Sequence, residues 1–466
     1  MPILSCLCQG SFDVETTRAI FGTRQFNFQE VFERLAMSPE CMTMCLNTMI
    51  ARPNIFGENL ITKTIKLAVR LLLDGTEKAE HLRLQYLHAL CSTVAHNMTC
   101  WDIAPFFSST SAHGTLIKAF DPAIDILAAA SAVGDISGLR SLLFKGANPD
   151  MKSDYFGYAL QNAARAGRED MVQLLLEHTT KVEVAECPID VVQVSLEAAC
   201  EKGRSTVVQR LLQSRHREWF SPSNLRSALI AAARNGHVES VRILSGRIAE
   251  SDKEDVMNAA LWEASARGYP DMIRFLLESG ADVNSFDHMG LNSLHKAAQG
   301  GHARVIRLLL DWGVKYYEGR WGDPLYLAAK NGREEAVQTL LEAGADIHAA
   351  GPHYCILARA AKNGESKMVR LCLEKGMDLK ESNRGDTALA LAAEYGHPDI
   401  VRLLVGLGVD VDGQENRDSP MIRALMYGQD RVVRMLLDLG AEEVDVTKSE
   451  YAADFEDGEY PMRRVI

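Results

Sequence analysis

The chain has 466 residues, 47% hydrophobic and 24% charged, which is more than one globular core accommodates, so several domains or an elongated repeat array is expected. Fifty Lys and Arg against 62 Asp and Glu leave a net charge of -12, which opposes the broad positive field a nucleic-acid partner requires. There is no basic, apolar leader and no run of about 18 uncharged apolar residues, so neither a signal peptide nor a membrane span is expected. The protein is read as intracellular, with its ten cysteines mostly reduced.

Residues 1–120 carry apolar residues at helical spacing over Gln29 to Met37, Thr64 to Leu73 and Glu80 to His96, while Trp101 to Gly114 reads as a loop rich in Ser, Pro and Gly. A small helical domain, or a cap on whatever follows, is expected here. His81, His88 and His96 share a helical face, but seven residues at about 1.5 Å rise hold the first two roughly 10 Å apart, too far to chelate one zinc ion. Cys6 and Cys8 with Cys41 and Cys45 lack the spacing of a zinc knuckle, so a sulfur-rich buried helix is the expectation and no metal site is assigned.

Residues 121–441 repeat one unit. A pattern of a small residue, three residues and a glycine, followed by an apolar pair, is anchored on Gly134, Gly167, Gly203, Gly236, Gly268, Gly301, Gly332, Gly364, Gly396 and Gly428, spaced 31 to 36 residues apart. Alanine pairs such as Ala297-Ala298, Ala328-Ala329, Ala360-Ala361 and Ala392-Ala393 favour helix and let a neighbouring helix approach closely. The anchor glycine then stops the helix, because the stop needs a left-handed residue. A second helix follows, with Val305 above Leu309 and Ile306 above Leu310 making one buried stripe. It ends at a further glycine, namely Gly146, Gly280, Gly313, Gly344, Gly376, Gly408 or Gly440, several of them followed by short extended segments suited to a hairpin. The second to fourth units lack that second glycine, showing Thr179-Thr180, Arg215-His216 and Ile248-Ala249, so their hairpins are expected to be irregular or absent, with an extra loop near Lys181 to Asp190.

These residues resemble the ankyrin-repeat family, most clearly from Asn292 through Leu294, His295, Ala297, Ala298 and Gly301 to His302, and from Leu276 and Leu277 through Gly280 and Ala281 to Asn284. The resemblance covers roughly 126–441, in a divergent style similar to that of ankyrin proteins abundant in filamentous fungi. It implies an all-α fold: a solenoid of about ten stacked helix-turn-helix repeats, with hairpins along one edge and a concave surface that binds proteins. It also implies structural roles for His295 and His302, and an ordinary turn role for Asn284.

Residues 442–466 form a tail with eight acidic residues against three basic ones, expected to be mobile over most of its length.

Phosphate-binding loops, zinc-protease helices and serine-hydrolase elbows are absent from the chain, so no catalytic residue, cofactor or metal is assigned. The expected function is a non-catalytic scaffold or adaptor for intracellular proteins. Two other readings remain, an enzyme or accessory subunit with a site near the N-terminal segment and first repeats, and a ubiquitin-ligase substrate adaptor. Basic residues just before the anchor glycines, namely Arg165, Lys202, Arg234, Arg267, Lys330 and Lys362, are expected along the concave side, giving way to Tyr395 and Tyr427. The expected partner site is carried by Tyr316, Tyr317, Trp321, Tyr354, Tyr395 and Tyr427, because aromatic side chains give large contact area at low entropy cost.

Overall fold

The structure is a computed structural model that describes residues 65, 66, 68, 69, 80–97, 122–179, 191–214, 220–316, 323–347, 356–380, 384–413 and 419–442. The expectations for 1–64, for the loop 101–114, for the insertion 181–190 and for the tail beyond 442 lie outside the described residues, as do the first cysteine pairs.

A helix pair brackets each anchor glycine. The described helices are α1 (Glu80–Asn97), α2 (Pro122–Val133), α3 (Ile136–Phe144), α4 (Ala159–Ala166), α5 (Glu169–His178), α6 (Val191–Glu201), α7 (Ser205–Gln213), α8 (Pro222–Arg234) and α9 (Val238–Ser245). They continue as α10 (Glu250–Arg267), α11 (Pro270–Glu278), α12 (Ser293–Gly300), α13 (Ala303–Asp311), α14 (Pro324–Lys330), α15 (Glu334–Glu342), α16 (Ile356–Asn363), α17 (Ser366–Glu374), α18 (Arg384–Glu394), α19 (Pro398–Gly406), α20 (Pro420–Met426) and α21 (Asp430–Asp438). Among the described residues the only β pairing is one isolated bridge between Ser153 and Gly157.

All ten anchor glycines have positive φ, between 64° and 86°. The stop after α12 shows the mechanism: Gly301 sits at φ 84° and its N–H closes back on the carbonyls of Ala297 and Ala298. The alanines do what their size allows. Ala297, Ala298, Ala328, Ala329, Ala360, Ala361, Ala392 and Ala393 are completely buried, so the first helices of successive pairs stack with little between their backbones. In each second helix an apolar stripe faces inward, as with Val305, Ile306 and Leu309 in α13 or Met368, Val369 and Cys372 in α17. Each such leucine-sized side chain contributes about 1.5–3 kcal/mol by leaving water.

The chain divides into two compact units, the first comprising residues up to 232 with 239–248, the second comprising 233–238 with 249 onward. In the first unit, α1 packs against α2, and Tyr86, Leu90, Cys91 and Val94 join Ile65, Ala68, Val69, Ile126, Ala128, Ala129, Tyr155 and Phe156 in one buried cluster. Phe156 is fixed locally: Ser153 Oγ accepts from the N–H groups of Tyr155 and Phe156, and Asn162 Nδ2 donates to the carbonyls of Phe156 (2.7 Å) and Ala128 (3.2 Å). Burial pushes the Cys91 thiol up to about 12, so it stays protonated and packs as a small apolar group.

In the second unit α10 runs for 18 residues, about twice the length of the other first helices there. No hairpin precedes it: only the turn 246–249 separates α9 from α10, where the left-handed second glycine is missing. Farther along, α12 is capped by Asn292, whose side chain accepts from the His295 N–H at 3.1 Å while His295 Nδ1 reaches back to Asn292. The variant turn at Asp323 does the same work, its carboxylate accepting from the Tyr326 N–H. Tyr326 is buried and its hydroxyl accepts from Arg359 Nη2 at 3.1 Å, so it joins one repeat to the next.

Candidate partner-binding surface

At five of the described first helices the exposed end is completed by the repeat that follows. The residue after the anchor glycine reaches back across the previous anchor and donates to a carbonyl at the end of the previous first helix. His302 Nε2 donates to Ala266 O (2.9 Å), His397 Nε2 to Lys362 O (3.0 Å) and Gln429 Nε2 to Glu394 O (3.1 Å). In the first unit Arg204 Nε donates to Arg165 O (3.3 Å) and Arg168 Nη2 to Val133 O (3.1 Å). The carbonyls left open by helix termination are thus satisfied in trans. His302 acts in this ladder, which is the structural role the resemblance implied.

Glu365 breaks the ladder chemically, since an ionised carboxylate cannot donate. Asn363 takes its place, donating to Lys330 O (3.2 Å) and to Glu365 Oε1 (3.0 Å), while Glu365 Oε2 is buried without a hydrogen bond. Burial, with a smaller contribution from Glu334, raises the Glu365 pKa above its ordinary value against the Asn363 hydrogen bond. A folded pKa above the unfolded one means that the penalty is absent below the unfolded value and is felt in full once pH has risen through the folded value. Glu365→Gln is therefore expected to stabilise the protein above about pH 7, by about 0.5 kcal/mol after discounting for partial solvent screening, and to do nothing near pH 3. Urea unfolding at both pH values checks this, and an equal gain at both would contradict it.

Tyr395 and Tyr427 lie at the same register, each directly before its anchor glycine, in the turns that end the adjacent first helices α18 and α20. They are 42% and 48% exposed. Neighbouring packed helices lie about 10 Å apart, so the two residues stand about that far apart along one edge. Lys362, one repeat earlier, places Nζ 4.7 Å from the centre of the Tyr395 ring, a cation–π contact that extends that edge. Beneath it, Arg423 of α20 pairs with the buried carboxylate of Glu394 in α18.

Tyr316, 38% exposed, belongs elsewhere. It follows α13 in the hairpin segment, and its hydroxyl accepts from the Leu325 N–H (3.4 Å) at the start of α14, whereas Tyr395 and Tyr427 sit at the ends of first helices. A first helix of 11 residues such as α18 separates these two levels by about 15 Å. Tyr317, Trp321 and Tyr354 lie outside the described residues.

The row of basic residues is uneven. Arg234 is bound by Glu263 through two hydrogen bonds (3.0 and 3.1 Å), and burial holds the Arg165 guanidinium below its usual range, with Glu201 opposing that shift. Lys202, Arg267 and Lys330 are exposed. The sequence reading missed the apolar tip of the hairpin between α11 and α12, where Phe286 and Met289 are 47% and 44% exposed. The signal available was two large apolar residues flanking the turn ahead of Gly290. Among the described residues no cluster could hold a metal ion, and no helix is long and apolar enough to cross a membrane.

Comparison with known proteins fits this architecture. The family profile described as ankyrin repeats (3 copies) matches residues 126–220, 196–287, 261–350 and 355–448. The chain is 36% identical over 130 residues to inversin of Canis lupus familiaris, covering 27% of this chain and 12% of that protein. It is 34% identical over 121 residues to the probable E3 ubiquitin-protein ligase XBOS33 of Oryza sativa subsp. japonica, covering 24% and 23%. It is 28% identical over 172 residues to the ankyrin repeat domain-containing protein SAT10 of Stachybotrys chartarum, covering 35% and 8%. The matches thus span no more than 23% of any of these three relatives. Among solved structures, the human ASB11 ankyrin repeat domain is 28% identical, covers 39% of this chain and 84% of its own, and gives a TM-score of 0.34.

Proposed function

This chain belongs to the ankyrin-repeat family, and on that premise we propose that it is a non-catalytic adaptor that holds partner proteins on the face formed by its first helices and hairpins. Ankyrin repeats are protein-interaction modules. The observation that carries the reading is the exposed Tyr395–Tyr427 pair in successive repeats, extended by Lys362. Core packing does not require either ring, since the alanines before them already fill the helix contact. Aromatic side chains held on rigid helices give contact area at low entropy cost and dominate binding hot spots. The ligase name of the rice relative is not transferred, because the match covers 23% of that protein. Affinity capture with the intact chain from its native host tests the reading. Recurrent recovery of the same proteins at stoichiometric yield is expected, and turnover of a small molecule without any retained protein would overturn it.

The segment 1–120 is proposed to cap the first repeat rather than stand alone, with 121–441 as the array and 442–466 as an acidic tail. Support comes from α1, whose Tyr86, Leu90 and Val94 share a buried cluster with Ile126, Ala128 and Phe156. Leu90→Asp, which buries a carboxylate in that cluster, is expected to cost about 3 kcal/mol or more and to lower solubility. Thermal melting checks it, and an unchanged midpoint would show that the array needs no cap. The reading places the protein inside the cell, where the buried thiols of Cys91 and Cys200 would remain reduced.

A further inference from the structure

The hairpin between α11 and α12 presents two exposed apolar side chains on a hydrogen-bonded frame. Asp287 holds the turn by accepting from the N–H groups of Met289 and Leu291, both at 2.9 Å, and from Lys296 Nζ at 2.7 Å. Burial opposes ionisation of Asp287, but the Lys296 contact and the backbone donors outweigh it and hold the carboxyl below its usual value. Gly290 supplies the left-handed residue at φ 76°. The hairpin is tied to its neighbours on both sides. The Trp262 indole N–H donates to Ser285 O and Oγ, both at 3.2 Å; on the other side Lys315 N–H donates to Asn284 Oδ1 at 2.8 Å, and Asn292 Nδ2 donates to Lys315 O at 3.3 Å. Phe286 and Met289 are thus exposed on an ordered support, with the half-exposed Tyr316 in the adjoining hairpin segment.

The charges around this tip have one dominant sign. Asp252, Glu254 and Asp255 are exposed in the first two turns of α10, and Asp282 is exposed at the hairpin root. These elements are joined, because Asn258, one turn farther along α10, accepts from the Asp282 N–H at 2.8 Å. The nearby cations are largely committed, Lys253 to Glu250 at 3.0 Å and Lys296 to Asp287, which leaves Lys315. An apolar tip whose root is joined to a helix carrying exposed carboxylates attracts a segment that offers the converse, apolar side chains flanked by positive charge.

The geometry points to a second docking surface, distinct from Tyr395 and Tyr427, for a basic amphipathic segment of a partner protein, with Phe286 and Met289 taking its apolar residues and Asp252, Glu254, Asp255 and Asp282 taking its Lys or Arg residues. This rests on the adaptor reading for the class of ligand, and it adds a site of opposite charge preference to the Lys362–Tyr395 patch. One chain can then hold two chemically different partners at once.

A random-peptide display library is selected on the intact protein and counter-selected on the double variant Phe286→Ser with Met289→Ser, whose positions are exposed and whose melting temperature is checked first. Surviving peptides are expected to combine Lys or Arg with Leu, Phe or Met. A labelled synthetic copy should bind about tenfold or more weakly to the double variant and to Glu254→Lys with Asp255→Lys, weaken with added salt, and bind Tyr395→Ala with Tyr427→Ala unchanged. No surviving peptide, acidic survivors, or survivors indifferent to charge reversal would overturn the proposal. Peptides lost instead on Tyr395→Ala with Tyr427→Ala would leave the adaptor reading standing and remove this second surface.

Discussion

Gly364→Ala is expected to destabilise the second unit by about 3 kcal/mol or more, whereas Gly376→Ala, in the same repeat, costs about 1–2 kcal/mol. Both glycines are left-handed, at φ 79° and 84°, so the backbone strain of adding a Cβ is the same. Their surroundings differ. A Cβ on Gly364 would stand 2.6 Å from Cε1 and 2.7 Å from Nδ1 of His397, whereas a Cβ on Gly376 meets nothing within 4 Å. The imidazole has no free retreat, because its Nε2 donates to Lys362 O at 3.0 Å and closes the end of α16. The first substitution therefore combines backbone strain with a broken inter-repeat hydrogen bond, and the second has strain alone. Urea unfolding of both variants measures the difference. Equal losses would show that the anchor glycines serve only the helix stop and that the close approach of the next repeat is incidental.

Arg423→Ala is expected to cost about 3 kcal/mol, the lower end of the range for breaking a buried ion pair, because the Arg423 side chain is itself partly exposed. Glu394 is buried, and with Arg423 gone its carboxylate loses the cation beside it. The pair itself is not assigned a large net stabilisation, since desolvation offsets most of the attraction. Replacing both members, as Glu394→Leu with Arg423→Met, is therefore expected to recover most of the loss. Thermal melting of the single and double variants checks this. A double variant as unstable as Arg423→Ala would show that Arg423 acts through its packing rather than its charge.

The repeat itself was legible in the sequence because each of its requirements is local. Gly268 and Gly301 are needed for a backbone angle, and Ala297 and Ala298 for their small size, and neither demand depends on what lies far away in the chain. That His295 and His302 are structural came with the family resemblance, whereas the cap made by the first and the cross-repeat bond made by the second are seen only in the structure. That Tyr316 falls in a hairpin and Tyr395 before an anchor glycine was legible; that these two places lie about a helix length apart, too far to form one surface, was not. The cross-repeat pairs were missed although a signal existed. Arg234 with Glu263 and Glu394 with Arg423 are both 29 residues apart, linking the position two before one anchor to the position five before the next. Searching for opposite charges at that interval, rather than within one helix, would have found them and would have shown that Arg234 is committed to its neighbour. The length of α10 was not foreseen either, since Glu250 to Asp255 is polar enough to read as the loop that the missing glycine would have ended.

Whether a partner protein sits on Tyr395 and Tyr427 is read by calorimetric titration of a captured partner. The partner is titrated into the intact chain and into Tyr395→Ala and Tyr427→Ala. Each substitution is expected to weaken binding by about 1–3 kcal/mol with little change in melting temperature. Affinity unchanged in both variants, or lost only in step with general unfolding, would contradict the account.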